Sequence, residues 1–328
     1  MKFDNKCFFF VSNNIGGLAS LLPVIKYYEI KKYNCILLYN KKNEKFLKNF
    51  KSTKLPINKK INLSDIKKLF LKFNPDIVIT STTFPKDLIL GDVENKFIYQ
   101  SNLVNIKSIT ILDHWCGYKE RFYTKINGIK KYTIPNYICV MDTKAKKEIL
   151  NNIKIPKKKI KVTGNPSWDE IKNIKPKINK ILLSNNNFNK RKKSILFISE
   201  VIIEEKKRIK YKFDEIEILR NLISIYEKDY NILIKQHPRE TNDKYLNLLK
   251  NFKSKNIIIL DKNVNPYNLS YISDVIIGMT SIMLVELSLF GLNVFSLQPS
   301  KQNKPVIDLG YNVKKIYSYK DLRNYKFK

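Results

Sequence analysis

DVIIGMTSIMLVELSLFGLNVFSL, residues 274–297, is the stretch from which the fold class can be read. Two short apolar runs flank a longer segment that opens on a Ser cap. This pattern predicts a strand over Asp274–Ile277, a helix over Ser281–Phe290 and a second strand over Asn293–Leu297. A strand, a helix and a strand in this order form a βαβ unit, which indicates a parallel sheet. The polar residues inside the stretch exclude a membrane span.

The same alternation continues outward through both halves of the chain. The predicted strands of the first half are Cys7–Ser12, Cys35–Tyr39, Asp76–Thr80, Ser108–Leu112 and Tyr137–Met141. Those of the second half, ahead of the quoted unit, are Ile195–Ser199, Asn231–Lys235 and Ile257–Leu260. The predicted helices are Leu18–Ile30, Ser64–Phe73, Thr143–Asn151, Phe213–Lys228 and Lys244–Asn251. We therefore predict an α/β protein with two Rossmann-like, doubly wound lobes.

A cationic, loop-like segment separates the two runs of strands and helices and sets the expected domain boundaries. We expect residues 1–163 to form the N-terminal Rossmann-like domain, residues 164–194 a linker and residues 195–310 the C-terminal Rossmann-like domain. Residues 311–328 remain as a terminal segment. Because ligands of open α/β sheets bind beyond the carboxyl ends of the strands, the expected binding site is an interlobe cleft.

The charge of the chain is strongly positive and comes almost entirely from lysine. The 328 residues contain 62 Lys and Arg against 29 Asp and Glu, a formal net charge of +33, and only 6 of the basic residues are Arg. Lys, Asn and Ile share A/T-rich codons, so codon usage accounts for much of this charge; a polyanion or an anionic membrane surface is the alternative. Proteins that read nucleic-acid bases favour arginine, because its planar guanidinium can donate two parallel hydrogen bonds to a base. Since lysine predominates here, we expect no nucleic-acid partner.

Cysteine and histidine usage argues against a metal centre. The four Cys have no CxxC spacing, only two His are present, and no Asp-x-Asp motif occurs. We therefore expect neither a metal nor a bound cofactor. Free Cys within apolar runs indicate a reducing compartment. The expected location is the cytoplasm, with the Lys-rich surface able to contact the inner face of the cell membrane.

Two turns of the first half carry candidate functional residues. Gly16 and Gly17 lie where the first strand meets the first helix, and they let backbone approach a ligand or simply form a structural turn. Asp113 directly follows the strand Ser108–Leu112, with His114 next to it. A carboxylate at a strand's carboxyl end, beside an imidazole, is placed to act as a general base. The alternative for Asp113 is a helix N-cap.

Two turns of the second half are suited to an anionic ligand. His237 ends a predicted strand, and Pro238, Arg239 and Lys235 around it make a cationic socket for phosphate. The alternative is an exposed turn histidine.

The second of these turns lies inside the quoted stretch. Gly278 permits close approach, Thr280 and Ser281 offer hydroxyls and helix N–H groups to a phosphate, and Glu286 could reach a ribose hydroxyl. The alternative is a capping Ser or Thr, with Glu on the polar face of the helix.

These motifs together resemble bacterial GT-B glycosyltransferases. The resemblance rests on the two-lobed plan, on Val162-Thr163-Gly164-Asn165-Pro166 at the junction, on His237-Pro238, and on Thr280-Ser281 ahead of a Glu-bearing helix. The most similar families are the sialyl-, polysialyl- and Kdo-transferases and the teichoic-acid polyol-phosphate transferases. In the sialyl- and polysialyltransferases the acidic motif is followed by Gly, whereas Asp113-His114-Trp115 stands here.

The resemblance implies a metal-independent transferase that moves an acidic sugar, sialic-acid-like or Kdo-like, from a CMP-linked donor to a surface-glycan or lipid-linked acceptor. It implies that Asp113, with His114 beside it, deprotonates the acceptor. It implies that His237, Thr280 and Ser281 hold the donor phosphate. The neighbouring turn residues complete the expected donor-binding set: Pro238, Arg239, Gly278 and Glu286. Residues 1–163 with Gly16 and Gly17 would face the acceptor, residues 195–310 would bind the nucleotide sugar, and residues 311–328 would pack back on the N-terminal domain.

Four alternatives stay open. Retaining Kdo-transferases have a catalytic acid a few tens of residues before the His-Pro motif, and Glu200, Glu204 and Glu205 lie in that window, although an ordinary charged loop has the same spacing. A UDP-N-acetylglucosamine 2-epimerase-like enzyme shares the two-lobed plan and would carry more cleft carboxylates. A CDP-polyol phosphotransferase would use a CDP-linked donor. A non-enzymatic polyanion binder would cluster its Arg or aromatic residues, but here Lys is spread along the chain.

Overall fold

The computed structural model describes residues 6–57, 60–83, 93–175, 187–205, 208–241, 243–262, 264–310, 312–325 and 327. The chain divides into two compact units, Met1–Glu170 and Ile171–Lys328. None of the helices in these ranges is long and apolar enough to cross a lipid bilayer.

The first unit is a seven-stranded parallel sheet with helices on its faces. Its strands are β1 (Cys7–Ser12), β2 (Asn34–Asn40), β3 (Thr53–Ile57), β4 (Ile77–Thr80), β5 (Lys107–Ile111), β6 (Tyr123–Ile126), β7 (Ile129–Tyr132), β8 (Tyr137–Val140) and β9 (Ile160–Val162). Its helices are α1 (Ile15–Ile30), α2 (Leu63–Phe73), α3 (Val93–Leu103) and α4 (Thr143–Asn152), with short 3₁₀ turns at Lys41–Leu47, Glu120–Phe122 and Lys157–Lys159. The boundary between the units lies within α5 (Pro166–Lys172). The sheet order is β3-β2-β1-β4-β5-β8-β9, and β6 and β7 form a separate antiparallel hairpin.

The central strand β1 shows how the sequence builds this sheet. All six of its residues are buried, and successive side chains point to opposite faces. Phe8 and Phe10 pack with Leu21 of α1, whereas Phe9 and Val11 belong to the core on the other face, under α2 and α3. A strand that is buried at every position fits a parallel sheet covered on both sides by helices.

The second unit repeats this plan with six parallel strands. The strands are β10 (Lys193–Ile198), β11 (Tyr230–Lys235), β12 (Ile257–Leu260), β13 (Val275–Gly278), β14 (Asn293–Leu297) and β15 (Lys314–Ile316). The helices are α6 (Arg208–Tyr211), α7 (Glu215–Tyr226), α8 (Leu246–Leu249), α9 (Pro266–Leu269), α10 (Ile282–Ser288) and α11 (Tyr319–Asn324), with a 3₁₀ turn at Ser270–Ile272. The sheet order is β12-β11-β10-β13-β14-β15.

The terminal segment belongs to the second unit, and the expectation that residues 311–328 pack on the first unit stays a prediction. β15 extends the sheet beside β14, and this pairing directs α11 onto α7. The Tyr226 hydroxyl donates to the Leu322 carbonyl at 2.6 Å, and the Tyr319 hydroxyl donates to Glu217 at 3.0 Å. Leu322 and Phe327 are part of the same buried cluster as Tyr226. Apolar side chains at the C-terminus are therefore buried within this unit.

The expected linker, residues 164–194, is partly helical, because α5 begins at Pro166; residues 176–186 of it lie outside the described part of the chain. The predicted fold class of two Rossmann-like lobes is confirmed. In each unit the strand order reverses beside one central strand: β1 lies between β2 and β4, and β10 lies between β11 and β13. Such a reversal is the switch point at which open α/β sheets bind ligands, at the carboxyl ends of the strands.

Candidate functional site

The turn after β1 is joined to the end of β4 at the switch point of the first unit. Asn14 caps α1, because its Oδ1 accepts from the N–H of Gly17 at 2.6 Å. Its Nδ2 donates to the Thr82 carbonyl at 3.1 Å and to the Thr83 hydroxyl at 3.0 Å. A Cβ on Gly17 would lie 2.5 Å from Oγ of Ser81, so only glycine fits this position without a shift.

Asp113 lies beside this turn. Its Oδ1 accepts from Nη1 of Arg121 at 2.8 Å and from the Thr82 hydroxyl at 3.1 Å. Its Oδ2 faces Gly16, because a Cβ added to Gly16 would lie 3.2 Å from this oxygen. The structure thus brings together two residues that the sequence singled out, Asp113 and Gly16. Among the described helices none is capped by Asp113, so the helix-cap alternative has no support.

His114 and Arg121 both act on the thiol of Cys116. Burial acts to raise the pKa of the Cys116 thiol, but a hydrogen bond with His114 and the charges of His114 and Arg121 outweigh it and lower that pKa to about 7. Arg121 is 5% exposed, and its Nε donates to the Cys116 carbonyl at 2.8 Å. The guanidinium of Arg121 therefore links the Asp113 carboxylate to the His114–Cys116 pair.

Glu94, in the first turn of α3, is a carboxylate that sequence reasoning missed. It is 2% exposed, and its Oε1 accepts from the N–H of Asn13 at 2.9 Å and from the hydroxyls of Thr83 at 2.8 Å and Ser81 at 3.3 Å. Its Oε2 is buried without a hydrogen-bond partner. Burial raises the pKa of Glu94 to about 7, although these hydrogen bonds act to lower it. A carboxyl group with such a pKa suits acid–base chemistry near neutral pH.

In the second unit the turn between β13 and α10 already holds an anion from the chain itself. Oε1 of Glu200 accepts from the N–H groups of Met279 at 3.2 Å, Thr280 at 2.6 Å and Ser281 at 3.0 Å. Its Oε2 accepts from the Thr280 hydroxyl at 2.5 Å. Four donors thus converge on one carboxylate, as they would on a phosphate. The hydroxyl oxygen of Ser281 also caps α10, because it accepts from the N–H of Met283 at 3.2 Å. Ser281 is therefore both a helix cap and a contact of the Glu200 carboxylate.

His237 follows β11, next to this switch point. Its Nδ1 accepts from the N–H of Arg239 at 3.1 Å, so a neutral ring carries its proton on Nε2 and can donate it to an oxygen. Burial and the charge of Arg239 lower the pKa of His237, while Glu240 and Glu205 act to raise it. Arg239 pairs with Glu205 at 2.6 Å. The N–H of His237 donates to Oε2 of Glu240 at 2.8 Å.

Glu204 belongs to a group of three carboxylates around one ammonium group. Lys244 binds Glu204 and Glu240, each at 2.8 Å, and also Glu215. The carboxylate oxygens lie within 4.8 Å of one another, a spacing that could hold a cation, and the Lys244 ammonium takes that role. Burial raises the pKa of Glu215 to about 7, although Lys244 acts to lower it. Two of the alternative catalytic acids, Glu204 and Glu205, are therefore held in ion pairs.

Three donor-side residues remain. Pro238 is exposed. Gly278 is required by packing, since a Cβ there would lie 3.0 Å from Leu284 and 3.1 Å from the carbonyl of Ile198. The Tyr267 hydroxyl donates to Oε2 of Glu286 at 3.0 Å, and burial raises the pKa of Glu286 to about 7. No described hydrogen bond or ion pair links Glu286 to the Thr280 turn or to His237.

No protein-family model matches the chain, and no curated protein matches it in sequence. Solved structures match it in fold. The UDP-GlcNAc 2-epimerase of Methanocaldococcus jannaschii in complex with UDP-GlcNAc and UDP is 17% identical, with 97% of this chain and 91% of that chain covered and a TM-score of 0.64. The glycotransferase of kitacinnamycin is 11% identical, with 97% and 89% covered and a TM-score of 0.59. MurG of Acinetobacter baumannii is 12% identical, with 90% and 78% covered and a TM-score of 0.54. The likeness establishes a GT-B-like fold.

Proposed function

We propose that the protein is a nucleotide-sugar-dependent glycosyltransferase. The observation that carries the proposal is the set of four donors from Met279, Thr280 and Ser281 that converge on the Glu200 carboxylate. These donors lie at the switch point of a Rossmann-like unit, and they suit the phosphate of a nucleotide donor. The names of the solved structures with this fold, which include a glycotransferase and enzymes for UDP-GlcNAc, support the same class of ligand.

On this proposal the donor phosphate exchanges with Glu200 at the turn. The phosphate accepts from the backbone N–H groups of Thr280 and Ser281, and His237 donates from Nε2 to a further oxygen. These donors stabilise the negative charge that develops on the phosphate as the bond from the sugar's anomeric carbon to the phosphate oxygen breaks. A side-chain carboxylate that can leave keeps the turn ordered until the donor arrives.

The acceptor reacts in the first unit's site. Its hydroxyl oxygen attacks the anomeric carbon, and its proton passes to Oδ2 of Asp113, the carboxylate oxygen that faces Gly16. Arg121 and Thr82 keep the other oxygen in place. The products are the glycosylated acceptor and the free nucleotide, with inversion at the anomeric carbon. No step uses a metal ion.

The finer parts of the proposal concern the substrates. A CMP-linked acidic sugar, sialic-acid-like or Kdo-like, is the proposed donor, by resemblance of the His237-Pro238 and Thr280-Ser281 motifs to those transferases. The proposed acceptor is a surface glycan or a lipid-linked glycan. The lysine-rich surface, part of the net charge of +33, suits contact with an anionic membrane that carries such an acceptor.

A UDP-N-acetylglucosamine 2-epimerase-like activity is the second candidate, and Glu94 favours it. Such an enzyme needs more than one acid–base group on the sugar, and Glu94 adds a second carboxyl group near Asp113 at the carboxyl ends of β1, β4 and β5. An epimerase would interconvert two UDP-sugars without needing an acceptor.

The test is a screen of the full chain with CMP-, CDP- and UDP-linked sugars, in which free nucleotide and sugar products are followed by chromatography. A glycosyltransferase of the proposed type releases CMP from a CMP-linked acidic sugar, slowly in water and faster with the right acceptor. Conversion of UDP-GlcNAc into its epimer would favour the second candidate. A Glu200→Gln variant, which removes the competing anion, should bind the nucleotide more tightly and keep its turnover. Loss of turnover in Glu200→Gln with unchanged affinity would favour the retaining scheme.

A further inference from the structure

Glu240 is a buried carboxylate that joins the ends of two neighbouring strands. Its side chain is 0% exposed. Its Oε2 accepts from the backbone N–H of His237 at 2.8 Å, at the end of β11. Its Oε1 accepts from the hydroxyl of Ser199 at 2.6 Å, at the end of β10, and from the hydroxyl of Tyr245 at 2.9 Å. Lys244 adds an ion pair at 2.8 Å. Both oxygens of Glu240 therefore accept hydrogen bonds from the chain.

Glu215 is a second buried carboxylate of the same cluster. It allows the effect of Glu240 on the position of the turns to be distinguished from the effect of a buried charge on stability. Glu215 is also 0% exposed and also pairs with Lys244, but its other partner is the N–H of Ile203, at 3.3 Å. Burying a carboxylate is costly, and an ion pair in the interior does little more than offset that cost. The two residues share the ion pair with Lys244, and only Glu240 contacts both strand-end turns.

The two turns that Glu240 joins are the ones proposed to meet the donor. Ser199 directly precedes Glu200, the residue that occupies the Thr280-Ser281 turn. His237, at the end of the next strand, is the residue proposed to donate a hydrogen bond to the phosphate. We propose that Glu240 is a positioning residue that fixes the His237 turn against the end of β10 and so sets the place of the imidazole for nucleotide binding. The inference rests on the proposed function for its ligand.

The charges around His237 make this role measurable. Glu240 and Glu205 stabilise the protonated imidazole, whereas Arg239 and Lys235 oppose it. Glu240→Gln keeps the shape of the side chain and removes its charge, so the pKa of His237 should fall. Glu215→Gln is the matched control, because it removes a buried charge from the same cluster without touching the His237 turn.

The experiment uses the full chain labelled at histidine, and only two His occur in it. His114→Ala assigns the imidazole signals in NMR spectra recorded over a pH series. We expect Glu240→Gln to shift the His237 resonances and to lower the pH midpoint of the His237 titration. It should also weaken CMP binding by roughly tenfold, because misplacing one charge-assisted hydrogen bond has about that effect. Glu215→Gln should leave the His237 resonances and the CMP affinity near those of the wild type.

The same spectra separate failure of this inference from failure of the proposed function. His237 resonances that are unchanged in Glu240→Gln, or changed equally in Glu215→Gln, would overturn the positioning role. A wild-type chain that binds no CMP would overturn the proposed ligand, and the resonances would still decide the role of Glu240. If Glu240→Gln does not fold, Ser199→Ala, which removes the link to β10, should move the His237 resonances. Unmoved resonances there would contradict the inference.

Discussion

Two carboxyl groups of the first unit, Asp113 and Glu94, are set apart by what surrounds them. Asp113 has one oxygen held by Arg121 and the other facing Gly16, next to the turn after β1. Glu94 is buried beneath the turn, with donors on Oε1 and none on Oε2. The proposal assigns proton removal to Asp113, since an oxygen beside the turn can reach an acceptor hydroxyl.

Asp113→Asn should lower turnover by about 10²–10⁴, because general-base help contributes that much, and should leave CMP affinity unchanged. The measurement is steady-state release of CMP with acceptor present, together with calorimetric titration of CMP. Glu94→Gln is the companion variant in the same assay. If Glu94→Gln abolishes turnover and Asp113→Asn keeps it, the base is Glu94 and the assignment to Asp113 is wrong.

The buried Glu94 should also leave a signature in stability. Its pKa is about 7 in the folded chain, against an ordinary value of 4.5, so the folded state binds a proton that the unfolded state has already lost. Its contribution to the free energy of unfolding is present below pH 4.5 and is lost as pH rises through 7. As the pH rises from 5 to 8, the free energy of unfolding of Glu94→Gln should therefore increase by roughly 2–3 kcal/mol relative to that of the wild type. Urea unfolding at the two pH values measures this, and a difference independent of pH would contradict it.

Sequence reasoning found Asp113 and missed Glu94 for a physical reason. Asp113 directly follows an apolar run, and such a position is visible in the sequence as the end of a strand. Glu94 lies in the first turn of a helix, where an acidic residue is favoured by the helix dipole and is usually exposed. Its burial comes from contacts with Asn13 and Ser81, which are distant along the chain, and no local pattern predicts them.

At the scale of the elements, apolar runs were predictable, including that of the edge strand β12, but three edge strands that contain lysine were not. The central strands β1 and β10 contain uninterrupted apolar runs, CFFFV in β1 and ILFI in β10, so they stand out. The edge strand β3 reads TKLPI, β9 reads IKV and β15 reads KKI. Lys and Pro are typical of edge strands. One side of an edge strand has no neighbouring strand, and these residues hinder pairing with another chain there. The same features conceal these strands in the sequence.

The turn from β1 into α1 gives a prediction that separates fold from function. Gly17→Ala would place a Cβ 2.5 Å from Oγ of Ser81, so the free energy of unfolding should fall by about 1–3 kcal/mol. Gly16→Ala would place a Cβ 3.2 Å from Oδ2 of Asp113 and 3.7 Å from Oδ1 of Asn14, so it should reduce turnover with little change in stability. Chemical denaturation and the CMP-release assay measure the two effects. Equal stability of the two variants would show that Ser81 does not restrict this turn.

For the whole molecule, the two units each carry a Rossmann-like switch point. Asp113 lies at the carboxyl end of a strand of the first unit, and His237 and the Thr280-Ser281 turn lie at the carboxyl ends of strands of the second. The motifs after β10, β11 and β13 were visible in the sequence because each follows an apolar run. That Glu200 fills the Thr280-Ser281 turn was not, since the contact joins residues 80 positions apart. We propose that the second unit binds the phosphate of a nucleotide.

Calorimetric titration of CMP into the wild-type chain and into His237→Ala measures this binding. Losing a charge-assisted hydrogen bond costs about 1.5–3 kcal/mol, so the affinity of His237→Ala should fall by roughly ten- to a hundredfold. His114→Ala, the change of the other histidine, should bind CMP as the wild type does. A His237→Ala variant with wild-type affinity, or a wild-type chain with no detectable binding of CMP, would contradict the account.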